Sequence, residues 1–179
     1  MIKTERLQIV PLEDKYVEDK YVEDIFQLWG NFEVIKYTYN KLISSIEDCH
    51  IRLNDWLSMH KDNLGANKFI ILLNNKMIGI IGFPVIDNDD FKCGLFYQIK
   101  EEYWGKGYAF EAAQGVLNYI FEKHSNAYVI ADAVVLNIAS IKILNKLGFK
   151  QIFIEENGFK NNGMEIDLVH FEINRRKIS

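Results

Sequence analysis

The stretch Tyr97–Ala113 constrains the fold most, because an apolar β-like segment gives way there to Gly105-Lys106-Gly107 and then to a helix. The apolar residues of this helix share one broad face: Ala109, Ala112, Ala113, Val116, Leu117, Ile120 and Phe121. Polar residues occupy the other face, and Glu111 is among them, so we expect Glu111 to face solvent. The pattern predicts a strand, a glycine loop and an amphipathic helix in that order.

The start of this helix has no evident side-chain cap. No Ser, Thr, Asp or Asn stands at the expected cap position, so the first amides have no side-chain partner. Two glycines allow close approach of the backbone to a ligand, and Lys106 and the helix dipole favour an anion. The loop therefore predicts a phosphate site, although a turn that binds nothing can carry the same short motif.

Length and composition describe an ordinary globular protein. The 179 residues are enough for one domain, which we expect to span 1–179, and 49% of them are hydrophobic. A net charge of −4 gives no general attraction to nucleic acid or to an anionic membrane. Cys49 and Cys93 form no pattern, and four scattered histidines lack zinc-site spacing, so we expect neither disulfides nor a metal. Without a signal-peptide core or an apolar run of about 18 residues, we expect a cytoplasmic protein.

The first third of the chain predicts one strand and two helices. Residues 4–12 alternate as a strand that Pro11 ends or places at an edge. A tandem Asp-Lys-Tyr-Val-Glu repeat at 14–23 indicates a local duplication inside a charged helix that runs to about Trp29. Ser44, with Glu47 three residues on, predicts the cap of a second helix that ends at Gly65.

The remainder alternates between strands and helices. Asn74–Asn75 predicts a hairpin, and Gly148 ends a helix that starts near Asn137. The predicted strands are 68–73, 77–83, 93–99, 128–135, 149–154 and 164–171, the last two joined by a turn at 158–163. The order predicts an α/β (α+β) fold, with one mixed, mostly antiparallel sheet of about seven strands flanked by helices. A parallel pair is expected around the central helix.

Four pieces of the chain together resemble one enzyme family. They are Thr4-Glu5-Arg6-Leu7, Tyr97 with Tyr103–Ala112, Asn137 with Ser140, and Lys146-Leu147-Gly148-Phe149. In this order and spacing the chain resembles the GNAT superfamily of N-acetyltransferases, and in particular the bacterial ribosomal-protein N-terminal acetyltransferases.

The resemblance implies a GNAT-like fold and a reaction. Acetyl-CoA would be the co-substrate, and a protein N-terminus or a small-molecule amine would attack its thioester directly; the protein would be a monomer or a homodimer. The implied cofactor-binding residues are Gln98, Ile99, Trp104, Gly105, Lys106, Gly107, Tyr108, Ala109, Asn137 and Ser140. The loop amides would hold the diphosphate, the end of the third strand would pair with pantetheine, and Asn137 would hydrogen-bond pantetheine. Tyr97 and Ser140 are the implied catalytic residues.

Two positions depart from the family pattern. Glu102 stands where many members have Gln or Arg, and Leu144 stands where many have a tyrosine that acts as general acid. The base is open among a water relay, Tyr97 and a carboxylate of residues 33–55 (Glu33, Glu47, Asp48 or Asp55), which a solvated helix face explains equally well. A backbone N–H near Tyr97 is a candidate for the oxyanion.

Other interpretations need weighing against this one. A catalytically idle acyl-CoA-binding module would keep the same loop. A Rossmann-type dinucleotide enzyme with Asp132 on the ribose is disfavoured because Phe110 occupies the third glycine position. Asn137 is also well placed as a plain helix cap, and Cys93 fits the core better than the role of an acyl-carrying nucleophile.

Overall fold

The computed structural model describes residues 1–12, 20–58, 66–161 and 163–174, and these contain nine strands and five α-helices. The strands are β1 Ile2–Lys3, β2 Leu7–Pro11, β3 Ala66–Leu73, β4 Lys76–Asp87, β5 Lys92–Gly94, β6 Phe96–Ile99, β7 Tyr128–Val134, β8 Lys150–Asn161 and β9 Met164–Asn174. The helices are α1 Val22–Trp29, α2 Phe32–Ile35, α3 Ile46–Ser58, α4 Tyr108–Lys123 and α5 Ile138–Lys146. None of the helices described is long and apolar enough to cross a membrane.

The strands form one mixed sheet in the order β1-β2-β3-β4-β5-β7-β9-β8, with β6 also paired to β4. Every pairing is antiparallel except that of β5 with β7. The predicted mixed, mostly antiparallel sheet with a parallel pair is therefore confirmed. The helix between the paired strands is α4, as the crossover rule requires for parallel neighbours.

The predicted strand 93–99 is divided into two strands. Its first part, β5, pairs in parallel with β7, and Leu95 N–H still donates to Ile130 O at 2.9 Å. Beyond Leu95, β6 pairs with β4 alone, through Ile81 opposite Tyr97 and Gly79 opposite Ile99. One apolar run predicted one strand because alternation does not reveal a change of partner. The division leaves a wedge between β6 and β7.

Two apolar layers pack on opposite faces of the sheet. Ile71 and Ile81 lie under α4 with Val116 and Ile120, whereas Ile70 and its neighbours face α1 and α3. Since alternate residues of a strand point to opposite faces, the helices of the two layers cover both sides. Burial of the apolar face of α4 fixes the helix start, and hence the glycine loop, against the end of β6.

Several predicted boundaries need correction. The strand predicted at 4–12 is shorter, because residues 4–6 form the turn between β1 and β2; Pro11 ends β2, as predicted. The cap of α3 is Ser45, whose hydroxyl accepts from Asp48 N–H at 3.0 Å, and not Ser44. The turn predicted at 158–163 is too long, since β8 continues to Asn161. The short helix α2 was not predicted. The hairpin at Asn74 and Asn75 is confirmed by their positive φ of 50° and 64°.

Part of the tandem repeat and the predicted helix end at Gly65 lie outside the described residues.

Candidate active site

The glycine loop presents a row of unbonded amides. Gly105 and Gly107 have φ of 72° and 81°, and Gly107 caps α4 without any side-chain hydrogen bond. Within the described part of the chain, no protein oxygen accepts from the amides of 105–110; the next amide, of Glu111, donates to Gly107 O at 3.0 Å. The Trp104 amide donates to Glu101 O at 3.0 Å, so it is not one of these unbonded donors. The helix start is therefore an anion site that uses backbone donors.

The side chain of Lys106 does not extend into this site. Its Nζ donates to Glu102 O at 2.8 Å and lies 5.4 Å from the centre of the Tyr103 ring. The ammonium thus sits over the 3-10 turn Glu101–Tyr103 that precedes the loop. Its charge lies next to Glu102, where the family pattern would have placed a polar or basic residue.

One cavity of about 610 Å³ extends from this loop along β6 to the start of α5 and to α2. The predicted site residues that line it are Tyr97, Gln98, Ile99, Trp104, Gly105, Gly107, Tyr108, Ala109, Asn137 and Ser140. Lys106 is the predicted residue that does not line it. The structure therefore brings together residues that are about forty positions apart in the sequence.

The strand β6 offers its free edge to this cavity. Lys100 N–H donates to Ile78 O at 2.8 Å, and alternation along the antiparallel ladder then turns the main chain of Gln98 towards β4. The main chains of Tyr97 and Ile99 face the wedge instead. Ile99 O already accepts from Trp104 Nε1 at 2.7 Å. The groups available to an added strand-like ligand are therefore those of Tyr97 and the Ile99 N–H, and not those of Gln98.

The side chain of Gln98 belongs to the opposite face of the sheet. Its Oε1 accepts from Trp29 Nε1 at 3.1 Å in a buried contact with α1. This contact anchors β6 to the helical layer, and the main-chain polar groups of Gln98 are directed to β4, so Gln98 contributes to the cavity wall without offering hydrogen bonds to a ligand there.

Tyr97 and Ser140 meet at the inner end of the cavity. Their hydroxyl oxygens lie 3.0 Å apart, joining β6 to α5. Burial raises the pKa of Tyr97 to about 12, although the hydrogen bond with Ser140 acts in the opposite direction. The phenol is therefore protonated at neutral pH and can donate a proton or a hydrogen bond, but it cannot act as a base there.

Asn137 caps α5, as the simpler interpretation expected. Its Oδ1 accepts from Ser140 N–H at 3.2 Å. The cap fixes the backbone of Ser140 and so the position of its hydroxyl opposite Tyr97. Leu144, which replaces the tyrosine expected from the family pattern, is buried and supplies no proton.

The far end of the cavity is formed by α2 and the turn after it. Glu33, Lys36, Tyr37 and Thr38 line this end, and Glu33 Oε2 lies 2.5 Å from Lys36 Nζ. Asn161 Nδ2 donates to Thr38 O at 2.8 Å and ties β8 to this segment. Of the four carboxylates considered as bases, Glu33 lines the cavity, whereas Glu47, Asp48 and Asp55 do not.

The prediction that Glu111 faces solvent is wrong. Its side chain is 14% exposed and accepts hydrogen bonds from Thr4 and Arg6, two residues at the start of the chain. Helical periodicity could not show this, because the partner is a turn that lies beside the polar face of α4. The available signal was that Arg6 and Glu111 belong to two motifs of the same family resemblance.

The profile of the family described as "Acetyltransferase (GNAT) domain" matches residues 6–150. The chain belongs to the GNAT acetyltransferase family. A relative from Bacillus licheniformis, described as the uncharacterized N-acetyltransferase p20, is 32% identical over 97% of this chain and 96% of its own.

Solved structures of this GNAT fold include two that contain coenzyme A. The ribosomal L7/L12 α-N-protein acetyltransferase RimL in complex with coenzyme A superposes with a TM-score of 0.82 at 16% identity, covering 96% of this chain and 95% of that one. The spermidine N-acetyltransferase from Vibrio cholerae, in complex with CoA and spermine, gives 0.80 at 19% identity, covering 95% and 96%. At these identities the likeness shows the fold.

The GNAT chain described here is an N-acetyltransferase, so the two alternative interpretations are set aside. A Rossmann-type enzyme requires a sheet of parallel strands, whereas this sheet has one parallel pair among the described strands. The matched family is described as one of acetyltransferases, which favours an enzyme over an idle binding module.

Proposed function

We propose that this protein transfers an acetyl group from acetyl-CoA to a primary amine, either the α-amine of a protein N-terminus or a small-molecule amine. The observation that carries the proposal is the row of amides at 105–110, which opens onto the same cavity as Tyr97 and Ser140. Acetyl-CoA, when bound, supplies the thioester that the neutral amine attacks directly.

The glycine loop would hold the diphosphate. Its amides have no protein acceptor among the described residues, and the N-terminus of the 16-residue helix α4 adds its dipole. Gly105 has no heavy atom within 4 Å of the position where a Cβ would lie, so the loop is open to a ligand there. These donors fit an anion without the participation of Lys106.

The free edge of β6 would hold the pantetheine arm. The arm carries amide groups, and the outward-facing main chain of Tyr97 and the Ile99 N–H can pair with them as a sheet edge pairs with an added strand. The arm would then run from the loop towards Ser140, which places the reacting end between β6 and α5.

The Tyr97–Ser140 pair is the proton source that best fits the leaving sulfur. Both hydroxyls are neutral at physiological pH, and they lie at the inner end of the cavity. A proton passed from one hydroxyl to the thiolate can be replaced through the other. Either oxygen can be the donor of the 3.0 Å bond, so the pair acts as a unit.

The acceptor amine would enter past α2. It must lose a proton before it attacks, and this matters more for a lysine-type amine of pKa about 10.4 than for an α-amine of about 8. Glu33 is the carboxylate at this end, and its ion pair with Lys36 gives an incoming ammonium a group to displace. Tyr97 does not fit the base, because its pKa is raised to about 12.

Thermal unfolding with and without ligands tests donor binding. Acetyl-CoA at about 100 times its Kd should stabilise the protein by about 2.7 kcal/mol, while NAD should leave the melting temperature unchanged. Absence of a shift with acetyl-CoA would overturn the proposal.

Free thiol release from acetyl-CoA on addition of acceptors then tests the reaction. A panel of peptides with free N-termini, their N-acetylated counterparts and polyamines separates the two acceptor classes. Release with a free peptide but not with its acetylated counterpart would identify the α-amine as the acceptor. No release with any primary amine would contradict the proposed acceptor chemistry.

A further inference from the structure

The turn between β1 and β2 is tied to the first turn of α4 through the Glu111 carboxylate. Oε1 accepts from the Thr4 hydroxyl at 2.5 Å and from Arg6 N–H at 2.7 Å, and Oε2 accepts from Arg6 Nε at 2.6 Å. Arg6 and Glu111 are 105 residues apart in the sequence. Three donors on one mostly buried carboxylate make a rigid join, since charge-assisted hydrogen bonds are the stronger kind.

Arg6 extends this join into the glycine loop. Its Nη1 donates to Lys106 O at 3.1 Å, and its guanidinium carbon lies 4.5 Å from the centre of the Tyr108 ring. A Cβ placed on Gly107 would lie 3.4 Å from Arg6 Nη2. The guanidinium therefore packs against the loop at Lys106, Gly107 and Tyr108.

The bond to Lys106 O fixes the direction of an amide. Lys106 C=O and Gly107 N–H belong to the same trans peptide, so they point in opposite directions across its plane. When Arg6 holds the carbonyl on one side, the Gly107 N–H is aimed to the other. This peptide joins Lys106 to Gly107, whose φ is 81°, and without Arg6 no side chain would hold its orientation.

Arg6 and Glu111 also determine the net charge at the start of α4. Burial acts to raise the pKa of Glu111, but hydrogen bonds from Thr4 and Arg6 outweigh it and hold that pKa below its ordinary value. The carboxylate is therefore charged at neutral pH, close to where a diphosphate would bind. Arg6 compensates this charge, which leaves the helix dipole to the ligand.

We propose that Arg6 and Glu111 are positioning residues that hold the Lys106–Gly107 peptide so that its N–H faces the diphosphate of the donor. This inference rests on the proposed function, because it concerns the same loop. Close packing supports it: a Cβ on Gly115 of α4 would lie 2.7 Å from Thr4 Cγ2, so the helix and the turn touch without room for a side chain.

Two acetyl donors distinguish positioning from general structural support. Acetyl-pantetheine carries the thioester and the arm but no diphosphate. We expect Arg6→Ala to raise the KM for acetyl-CoA about ten-fold, as for the loss of one charge-assisted contact, and to leave kcat/KM for acetyl-pantetheine unchanged. Equal losses with both donors would show a merely structural role and overturn the inference.

The sign of the Glu111→Ala effect distinguishes positioning from direct phosphate binding by Arg6. If Arg6 bound phosphate itself, freeing it from Glu111 would preserve or tighten acetyl-CoA binding, and that result would overturn the inference. We expect weaker binding instead, with the double variant no more than about two-fold weaker than Arg6→Ala, since the two residues act as a unit.

The controls separate this inference from the function on which it rests. Arg52 on α3 is partly exposed and does not line the cavity, so Arg52→Ala removes one positive charge elsewhere and should leave the KM for acetyl-CoA unchanged. A rise in KM for Arg52→Ala equal to that for Arg6→Ala would show that the loss of one positive charge explains the effect, and it would overturn the positioning role. Wild-type protein that failed to bind acetyl-CoA would overturn the proposed function, whereas wild-type affinity in both Arg6→Ala and Glu111→Ala would overturn this inference alone.

Discussion

The hydroxyl of Tyr97 on β6 lies 3.0 Å from the hydroxyl of Ser140 on α5, across the inner end of the cavity. Each oxygen reaches this point for a separate reason. Tyr97 is on the strand that leaves the parallel pair, and Ser140 is placed by the Asn137 cap at the start of its helix. The contact therefore joins β6 to α5 just beyond Leu95, where β6 has left β7.

We expect Ser140→Ala and Tyr97→Phe each to lower kcat by about ten-fold or more, because each removes one hydroxyl of the proton-donating pair. The KM for acetyl-CoA should change little. The double variant should be no slower than the more damaged single one, since the two hydroxyls form one unit. Steady-state kinetics with Tyr119→Phe as the control, a tyrosine on α4 beside Phe83, would measure this. Multiplicative losses in the double variant would contradict it.

We expect Gly107→Ala to weaken acetyl-CoA binding far more than Gly163→Ala does. Both glycines have positive φ, 81° and 74°, so alanine costs each about 1–2 kcal/mol of backbone strain. Gly163 lies in the turn before β9, whereas Gly107 supplies a loop amide and lies against Arg6. Chemical unfolding would measure the loss of stability caused by the strain, and calorimetric titration would measure the affinity for acetyl-CoA. Equal affinities in two folded variants would refute the loop assignment.

We expect stability to rise with pH between about 8 and 10.5 because of Lys68. Burial lowers the pKa of Lys68 to about 8, against 10.5 in the unfolded chain. In that interval the unfolded state binds the proton and the folded state does not, so raising the pH favours folding, by up to about 3 kcal/mol. Below pH 8 the full cost of the buried charge remains.

Urea unfolding of wild type and Lys68→Met across this range isolates the effect. As the pH rises, the free energy of unfolding of wild type should increase relative to that of Lys68→Met. A difference that stays constant would show that the Lys68 pKa is not lowered in the folded protein.

The buried pair of Lys100 and Asp24 should respond asymmetrically to mutation. Lys100 is 3% exposed and donates to Asp24 and Gln27, while Asp24 is 25% exposed. Asp24→Asn leaves a buried ammonium without a counterion and should cost about 3 kcal/mol, whereas Lys100→Met leaves a carboxylate that water can reach and should cost less. Glu165→Gln, in an exposed pair with Lys160, should change stability by less than about 1 kcal/mol in the same urea experiment. A larger loss of stability for Lys100→Met than for Asp24→Asn would contradict the expectation that the buried ammonium is the more costly group to leave unpaired.

Periodicity predicted the elements that bury one face. The helix after the glycine loop, the Asn74–Asn75 hairpin and the strand at 128–135 all appear close to their expected positions. In each case a local pattern and the tertiary packing favour the same structure. The uncapped start of α4 was also predicted from the missing cap residue alone.

Features set by the choice of partner were not predicted. The split at Leu95 depends on which neighbour each half of the strand bonds, and the alternation of side chains is the same on either side of it. The role of Glu111 depends on a turn 105 residues away. The main-chain direction of Gln98 follows from ladder register, which the residue type does not encode.

The divergence of β6 from β7 has a consequence for the speed of donor capture. Because β5 is hydrogen-bonded to β7 while β6 is bonded to β4, the strand pairing of the folded protein itself keeps β6 and β7 apart. Because the wedge is already present without a ligand, we expect little ordering entropy to be lost when the donor binds. Association of acetyl-CoA should accordingly be a single-step process, with free and loaded backbones that superpose closely.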